Sequence, residues 1–248
     1  MTQAQIEAIS GPANGLQVFC TTDSKIYVYV STVGQWKEVA YGTGTITSFS
    51  CGNPITDPRD GKTYNTVQIG TQCWFAQNLN VGTKINGNIE QTNNSIIEKY
   101  CYADLESNCD IYGGLYQWNE MMQYVTTPGV QGICPTGWHI PTHGEWTILT
   151  DFLGGESVAG GKMKEAGYVH WSSPNTGATN SSGFTALPGG NRDINGNFYN
   201  LTNYAFFWSS SQFDATIAWY RYLDVSNEYV YRDNNDKTYG FSGRCVQD

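Results

Sequence analysis

The chain has 248 residues, 28 glycines, 17 tyrosines, 8 tryptophans and a formal net charge of −9. Only 14 % of it is charged, against about 25 % in an average globular protein, and its 13 Lys plus Arg form no basic run. That balance excludes a phosphate-binding face, and so a nucleic-acid partner. No stretch approaches the ~18 apolar residues of a membrane span, and the length suits one large domain with an appendage.

Gln3 to Ile9 can form one short helical turn, which Gly11-Pro12-Ala13-Asn14-Gly15 breaks. Leu16–Cys20 and Ile26–Val30 are strand candidates joined by a turn at Thr21–Lys25, and Trp36–Val39 is a third. Three short strands bury little surface, so residues 1–47 read as a small β-rich docking or assembly module. A β extension packed on the main domain is the alternative. Gly42-Thr43-Gly44-Thr45 has linker composition. Residues 1–20 lack a basic and an apolar leader region. The expectation is that an exported protein has already lost its leader, or that the chain is a virion component needing none.

From Cys51 the pattern is α+β with short strands and long loops. Thr66–Gly70 alternates, and Cys73–Ala76 is apolar. Gly113 to Gln123 reads as a helix, with Leu115, Trp118 and Met122 on one face. A second helix follows Pro141. Thr142 and Glu145 form a capping box, Trp146, Leu149, Phe152 and Leu153 form its buried face, and Gly154-Gly155 ends it. After residue 183 the pattern returns to β. Ala205–Trp208, Ala218–Leu223, Glu228–Arg232 and a last strand at Gly243–Val246 are expected. The fold class is therefore α+β, with two helices and an antiparallel sheet.

Six cysteines pair by spacing as Cys51–Cys73, Cys101–Cys109 and Cys134–Cys245, leaving Cys20 over. Spacing alone leaves other connectivities open, as well as reduced thiols in a cytosolic protein. Loop-rich domains of oxidising compartments use disulfides in this way.

The ordered motifs Asp57–Tyr64, Val67–Trp74, Asn78-Leu79, Tyr112–Trp118, Cys134–Thr142, Glu145-Trp146, Gly183–Gly190, Phe207–Ser210 and Arg244–Val246 resemble the Fibrobacter succinogenes major paralogous domain. The resemblance spans about residues 51–248. It implies secretion or surface display in bacteria and kinship with the C-type-lectin-like fold, which includes the formylglycine-generating enzymes. It carries no established chemistry, and it supports the same three cysteine pairs. Gly243 departs from the pattern, where valine is expected.

Enzyme chemistry finds little footing. His139 and His143 are four apart, but Pro141 lies between them, so they cannot share a helical face as a zinc pair would. Gly-x-Ser-x-Gly is absent, and Ser209-Ser210-Ser211 has no histidine near it in sequence. Asp57 and Asp60 fit turn chemistry better than a glycosidase pair. A sulfatase-activating type of oxidase would need reactive cysteines, which here are better used as staples. No catalytic residue, metal or cofactor is expected. Calcium at Asp233 and Asp236, in the oxygen-rich run Arg232–Lys237, is an alternative to a solvated loop. The Glu-Pro-Asn and Trp-Asn-Asp signatures of calcium-dependent lectins are absent.

The last sixty residues hold the binding candidates. Tyr199, Tyr204, Phe213, Tyr220, Tyr222, Tyr229, Tyr231 and Tyr239 are interleaved with polar residues that include Asp233, Asn234, Asn235 and Asp236. Tyrosine gives large contact area at low entropic cost, and Ser and Asn give adaptable polar contacts. Trp208 and Trp219 are expected in the core, with the tyrosines near 220–231 and a loop at 233–238 on the surface. Lectin-like domains also serve as display scaffolds for diversity-generating retroelements. The resemblance extends that reading to residues 212–239. The expected function is extracellular recognition or adhesion, with a carbohydrate or protein ligand on another cell or surface. The alternative is a structural subunit of a surface fibre, pilus or phage tail assembled through residues 1–47.

Overall fold

In the computed structural model, which describes residues 1–39 and 49–248, Thr2 caps helix α1 (Gln3–Glu7). Its hydroxyl accepts the Gln5 N–H while the Gln5 side chain accepts the Thr2 N–H. Strands β1 (Gln17–Cys20), β2 (Lys25–Val30) and β3 (Gln35–Glu38) follow as an antiparallel meander, with Tyr29 stacked edge-on against Trp36. Among the described residues of this stretch only Ile6 and Cys20 are buried. The chain divides into two units, Met1–Ser48 and Phe49–Asp248. The expected Gly42–Thr45 linker lies outside the described residues.

The second unit begins with a ribbon of β4 (Ile55–Thr56) and β5 (Thr63–Tyr64) around the Asp57–Gly61 turn. Buried Asp57 takes the Arg59 guanidinium, and Arg59 reaches on to the Ile133 carbonyl at 2.8 Å. That is turn chemistry, as Asp57 and Asp60 suggested. Next come β6 (Thr66–Ile69), β7 (Gln72–Phe75), β8 (Thr83–Ile85) and β9 (Glu98–Tyr100). A short 3₁₀ turn at Tyr102–Asp104 leads to helix α2 (Glu106–Tyr112). This run shows no apolar periodicity, so the sequence alone does not announce the helix.

The helix expected over Gly113–Gln123 is mostly not helical. Leu115–Tyr116 is strand β10, and only Trp118–Met121 forms a helix, α3. The 3.6-residue spacing of Leu115 and Trp118 is outweighed by pairing: Leu115 and Tyr116 lie opposite Ser242 and Phe241. After β11 (Trp138–His139) comes α4 (His143–Phe152) with the expected capping box at Thr142 and Glu145. Such a cap is worth about 1 kcal/mol. Trp146, Leu149 and Leu153 are buried, but Phe152 is 63 % exposed because it stands off their stripe. A helix absent from the sequence reading, α5 (Glu156–Met163), follows. Its Gly160 and Gly161 let the backbone touch the 228–229 segment, and Gly161 N–H donates to the Glu228 carbonyl at 3.2 Å. The helices thus exceed the two expected.

The C-terminal part holds β12 (Asn191–Arg192), β13 (Phe198–Tyr199), β14 (Tyr204–Gln212), β15 (Ile217–Asp224), β16 (Val230–Asp236), β17 (Phe241–Ser242) and β18 (Val246–Gln247). Phe184–Leu187 contributes only a bridge from Ala186 to Lys164. The expected last strand at 243–246 is split. β17 joins the large sheet and β18 a smaller one, with Gly243 at the crossing, where a Cβ would stand 3.3 Å from Leu79.

The large sheet runs β16-β15-β14-β17-β10-β9-β8 and the smaller β11-β18-β7-β6. The large sheet is mixed rather than antiparallel, since β14–β17 and β8–β9 pair in parallel. One core, with Phe75, Tyr116, Trp118, Trp138, Trp208 and Phe241, fills one side. A second, with Trp74, Trp146, Leu149, Phe184, Phe207 and Leu223, lies with α4 and α5 on the other. Disulfides join Cys51–Cys73, Cys101–Cys109 and Cys134–Cys245, while Cys20 is free and buried. Buried Arg244 ties the parts together through Asn78 and the Phe75, Phe184 and Thr185 carbonyls.

Candidate ligand-binding face

Strand register decides which side chains can meet a ligand. Phe206, Tyr222 and Tyr231 lie opposite one another across β14, β15 and β16, as do Trp208, Tyr220 and Asp233. Side chains alternate along a strand, so these residues share the face away from α4 and α5. On it the rings run without interruption. Tyr222 stacks on Tyr231 at 4.5 Å, Tyr229 on Tyr231 at 5.6 Å, and Tyr204 on Phe206 at 5.6 Å. Phe206 stacks on Phe241 at 5.0 Å and so continues the array into the core. Each such pair adds about 0.5–1.5 kcal/mol beyond burial, which holds the rings in fixed positions.

Exposure grades across this array. Trp208 and Phe241 are buried; Tyr204, Phe206, Tyr222, Tyr231 and Tyr239 are half-buried; and Tyr229 is 47 % exposed. Tyr220 is only 7 % exposed, so the expectation that it presents its ring to a ligand is corrected. The Trp208 ring from β14 and the Phe241 ring from β17 cover it, at 6.0 and 4.9 Å. Burial pushes its hydroxyl pKa up, with the Asp233 charge adding to the shift.

Polar groups rim the exposed end. The Asn227 amide donates to the Tyr231 hydroxyl at 3.1 Å. Asp233 is exposed and Asn235 half-buried on the same face. Residues 233–236 belong to strand β16 rather than to a loop. Asp233 and Asp236 are three apart on that strand, so their side chains leave opposite faces and cannot share one cation there. Asp236 accepts instead from the Thr238 N–H and hydroxyl.

Three other predicted residues lie elsewhere. Tyr199 is exposed on the separate β12–β13 ribbon. Phe213 is exposed beyond β14, edge-on to Trp219 at 5.4 Å, and Asn234 lies opposite Trp219 on the helix side. Trp219, expected in the core, is half-buried. Phe206, one of the aromatics of this C-terminal stretch, joins the face by alternation from Tyr204, while Asn227 was missed because no local signal marks it.

The histidines and serines have structural partners. His139 is held between Asp248 at 2.7 Å and Glu145 at 2.8 Å, and these bonds, Glu145's first, raise its pKa against the effect of burial. Ser209 to Ser211 occupy a register shift in β14, where the Ser209 hydroxyl donates to the Trp219 carbonyl at 3.0 Å. The Ser210 and Ser211 hydroxyls accept the Gly129 and His143 N–H groups. Among the described residues no helix is long and apolar enough to cross a membrane.

The family model described as Fibrobacter succinogenes major domain matches residues 67–247. No curated protein and no solved structure matches the chain.

Proposed function

The chain belongs to the Fibrobacter succinogenes major domain family, and we propose that it is an extracellular recognition domain of C-type-lectin-like fold. It binds a carbohydrate or protein target through the aromatic face of β14, β15 and β16. The observation that carries this is the stacked, half-exposed run of Tyr204, Phe206, Tyr222, Tyr231 and Tyr229 beside Asn227, Asp233 and Asn235. Sugars stack their C–H faces on such rings, and protein partners anchor on tyrosine at low entropic cost. Three disulfides favour an oxidising setting, either the bacterial surface or a virion tail. Screening glycan and protein panels with the wild-type chain and a Tyr222→Ala/Tyr231→Ala variant tests the reading.

The same face suits diversification by a retroelement, because Tyr222, Tyr231, Asp233 and Asn235 sit on strands β15 and β16 and Tyr229 directly precedes β16, all with exposed or half-buried side chains. Sequencing the coding DNA over residues 200–248 in many isolates checks this. Adenine-linked variation at these positions beside a template repeat supports it, and an invariant segment sinks it.

A second reading, assembly through residues 1–47 in a fibre, pilus or tail, is favoured by the sparse interior of the first unit. Among its described residues only Ile6 and Cys20 are buried, while Leu16, Phe19 and Val33 are 40 %, 53 % and 53 % exposed. Both roles can coexist in one chain.

A further inference from the structure

The chain has five arginines, and their partners separate them. Arg59 is paired with Asp57 and Arg192 with Glu90. Arg244 donates to Asn78 and three backbone carbonyls at 2.6–2.9 Å. Arg221 and Arg232 have no carboxylate within ion-pair distance among the described residues. Arg221 is fully buried, its Nε has no partner, and its Nη2 contacts are the Thr147 hydroxyl at 3.2 Å and the His143 carbonyl at 3.4 Å. Buried polar atoms are rarely left in this state, and each one calls for an explanation.

Arg221 and Arg232 also lie directly opposite each other across β15 and β16. Like charges in that position are destabilising. His143, the first residue of α4, stands between them. Its Nδ1 is 3.4 Å from Arg221 Nη1 and its Nε2 3.4 Å from Arg232 Nη1. A neutral imidazole has one acceptor nitrogen, so one of these two contacts sets donor against donor. Burial, then the charges of Arg221 and Arg232, pull the His143 pKa down to about 4. Glu156 acts on Arg221 through space only. The cluster therefore has a surplus of donors and positive charge, in a chain whose net charge is −9.

An apolar wall adjoins it. Trp219 is half-buried, with the His143 ring at 4.9 Å, the Arg232 guanidinium at 5.7 Å and the exposed Phe213 at 5.4 Å. We infer that His143, Arg221 and Arg232, with Trp219 and Phe213, form a second binding site for a carboxylated sugar of the uronic-acid class. The exposed Arg232 fork meets the planar carboxylate, His143 turns an N–H toward it, and buried Arg221 supplies positive charge from behind. The anion relieves both the donor conflict and the Arg–Arg repulsion. The C–H face of the sugar ring lies on Trp219. This site is on the helix side of the strands that carry the tyrosine array, so either can be lost without the other.

The test follows the Trp219 indole N–H and the His143 ring of the full chain by NMR, titrating sodium glucuronate, glucose or sodium sulfate. Glucuronate should shift both sets of signals and glucose neither. Arg232→Gln, at an exposed position, should weaken glucuronate by about tenfold or more, the value of a charge-assisted contact. Trp219→Ala should weaken glucuronate more than sulfate. The inference is overturned if glucuronate shifts neither signal, if glucose shifts both signals as strongly, or if Arg232→Gln binds normally. It is also overturned if sulfate matches glucuronate and Trp219→Ala affects neither.

Discussion

Replacing each cystine by an alanine pair should destabilise the second unit in the order of the loops closed. The bridges span sequence separations of 111 for Cys134–Cys245, 22 for Cys51–Cys73 and 8 for Cys101–Cys109. Loop-closure entropy then gives losses of about 4.8, about 3.4 and about 2.5 kcal/mol respectively. Every pair has at least one fully or almost fully buried sulfur, so the lost packing is similar and the loop term decides the ranking. Against a total stability of about 5–15 kcal/mol, the first loss is large enough to threaten the fold. Guanidinium denaturation followed by tryptophan fluorescence reads this unit, because Trp36 is the only tryptophan outside it. The dependence of stability on denaturant should also steepen most for Cys134→Ala/Cys245→Ala, since that change expands the unfolded chain most. If the Cys101–Cys109 pair proved the costliest, or if all three cost the same, the loop argument would be refuted.

His139 and His143 should titrate apart: by NMR at pH 6, His139 is protonated and His143 neutral. The raised pKa of His139 makes its bonds to Glu145 and Asp248 worth most below pH ~6.5, and that stability fades as pH rises through the folded value. His139→Gln should therefore cost more at pH 6 than at pH 9; equal costs would count against the ion-pair account. Gly160→Ala should lower the melting temperature, although alanine favours a helix by about 1 kcal/mol. Its Cβ would collide with the Tyr229 and Glu228 carbonyl oxygens, an overpacking that costs about 1–3 kcal/mol. Deleting residues 1–47 should abolish concentration-dependent self-association, seen by analytical ultracentrifugation, while leaving the glycan or protein binding of the second unit intact. Unchanged association would remove the assembly role.

Elements with strong local signals were legible in the sequence. Thr142 and Glu145 announce α4 through a capping box, and the aromatic-rich runs near 205–208, 218–223 and 228–232 announce β14 to β16. The cysteine pairs in the structure are those that spacing and resemblance suggested. What failed depends on distant partners. Leu115 is in a strand because Ser242 lies opposite it, and α5 is a helix whose two glycines make sense only against residues 228–229. Parallel pairing and the split of the last strand leave no local trace. The binding face was half legible. Its tyrosines stood out, but their side was set by register, and Tyr220 is buried by rings from residues 208 and 241. The arginine–histidine cluster was invisible, because His143 meets Arg221 and Arg232 only when α4 packs on the large sheet.

The most direct test of the central claim is binding of the wild-type chain and of Tyr222→Ala/Tyr231→Ala to glycan and protein panels, followed by affinities for each ligand found. Removing two half-exposed, stacked rings should weaken binding by about tenfold or more while the thermal melt still shows a folded chain. Full affinity in a folded double variant would contradict the assignment of the β14–β16 aromatic face as the recognition surface.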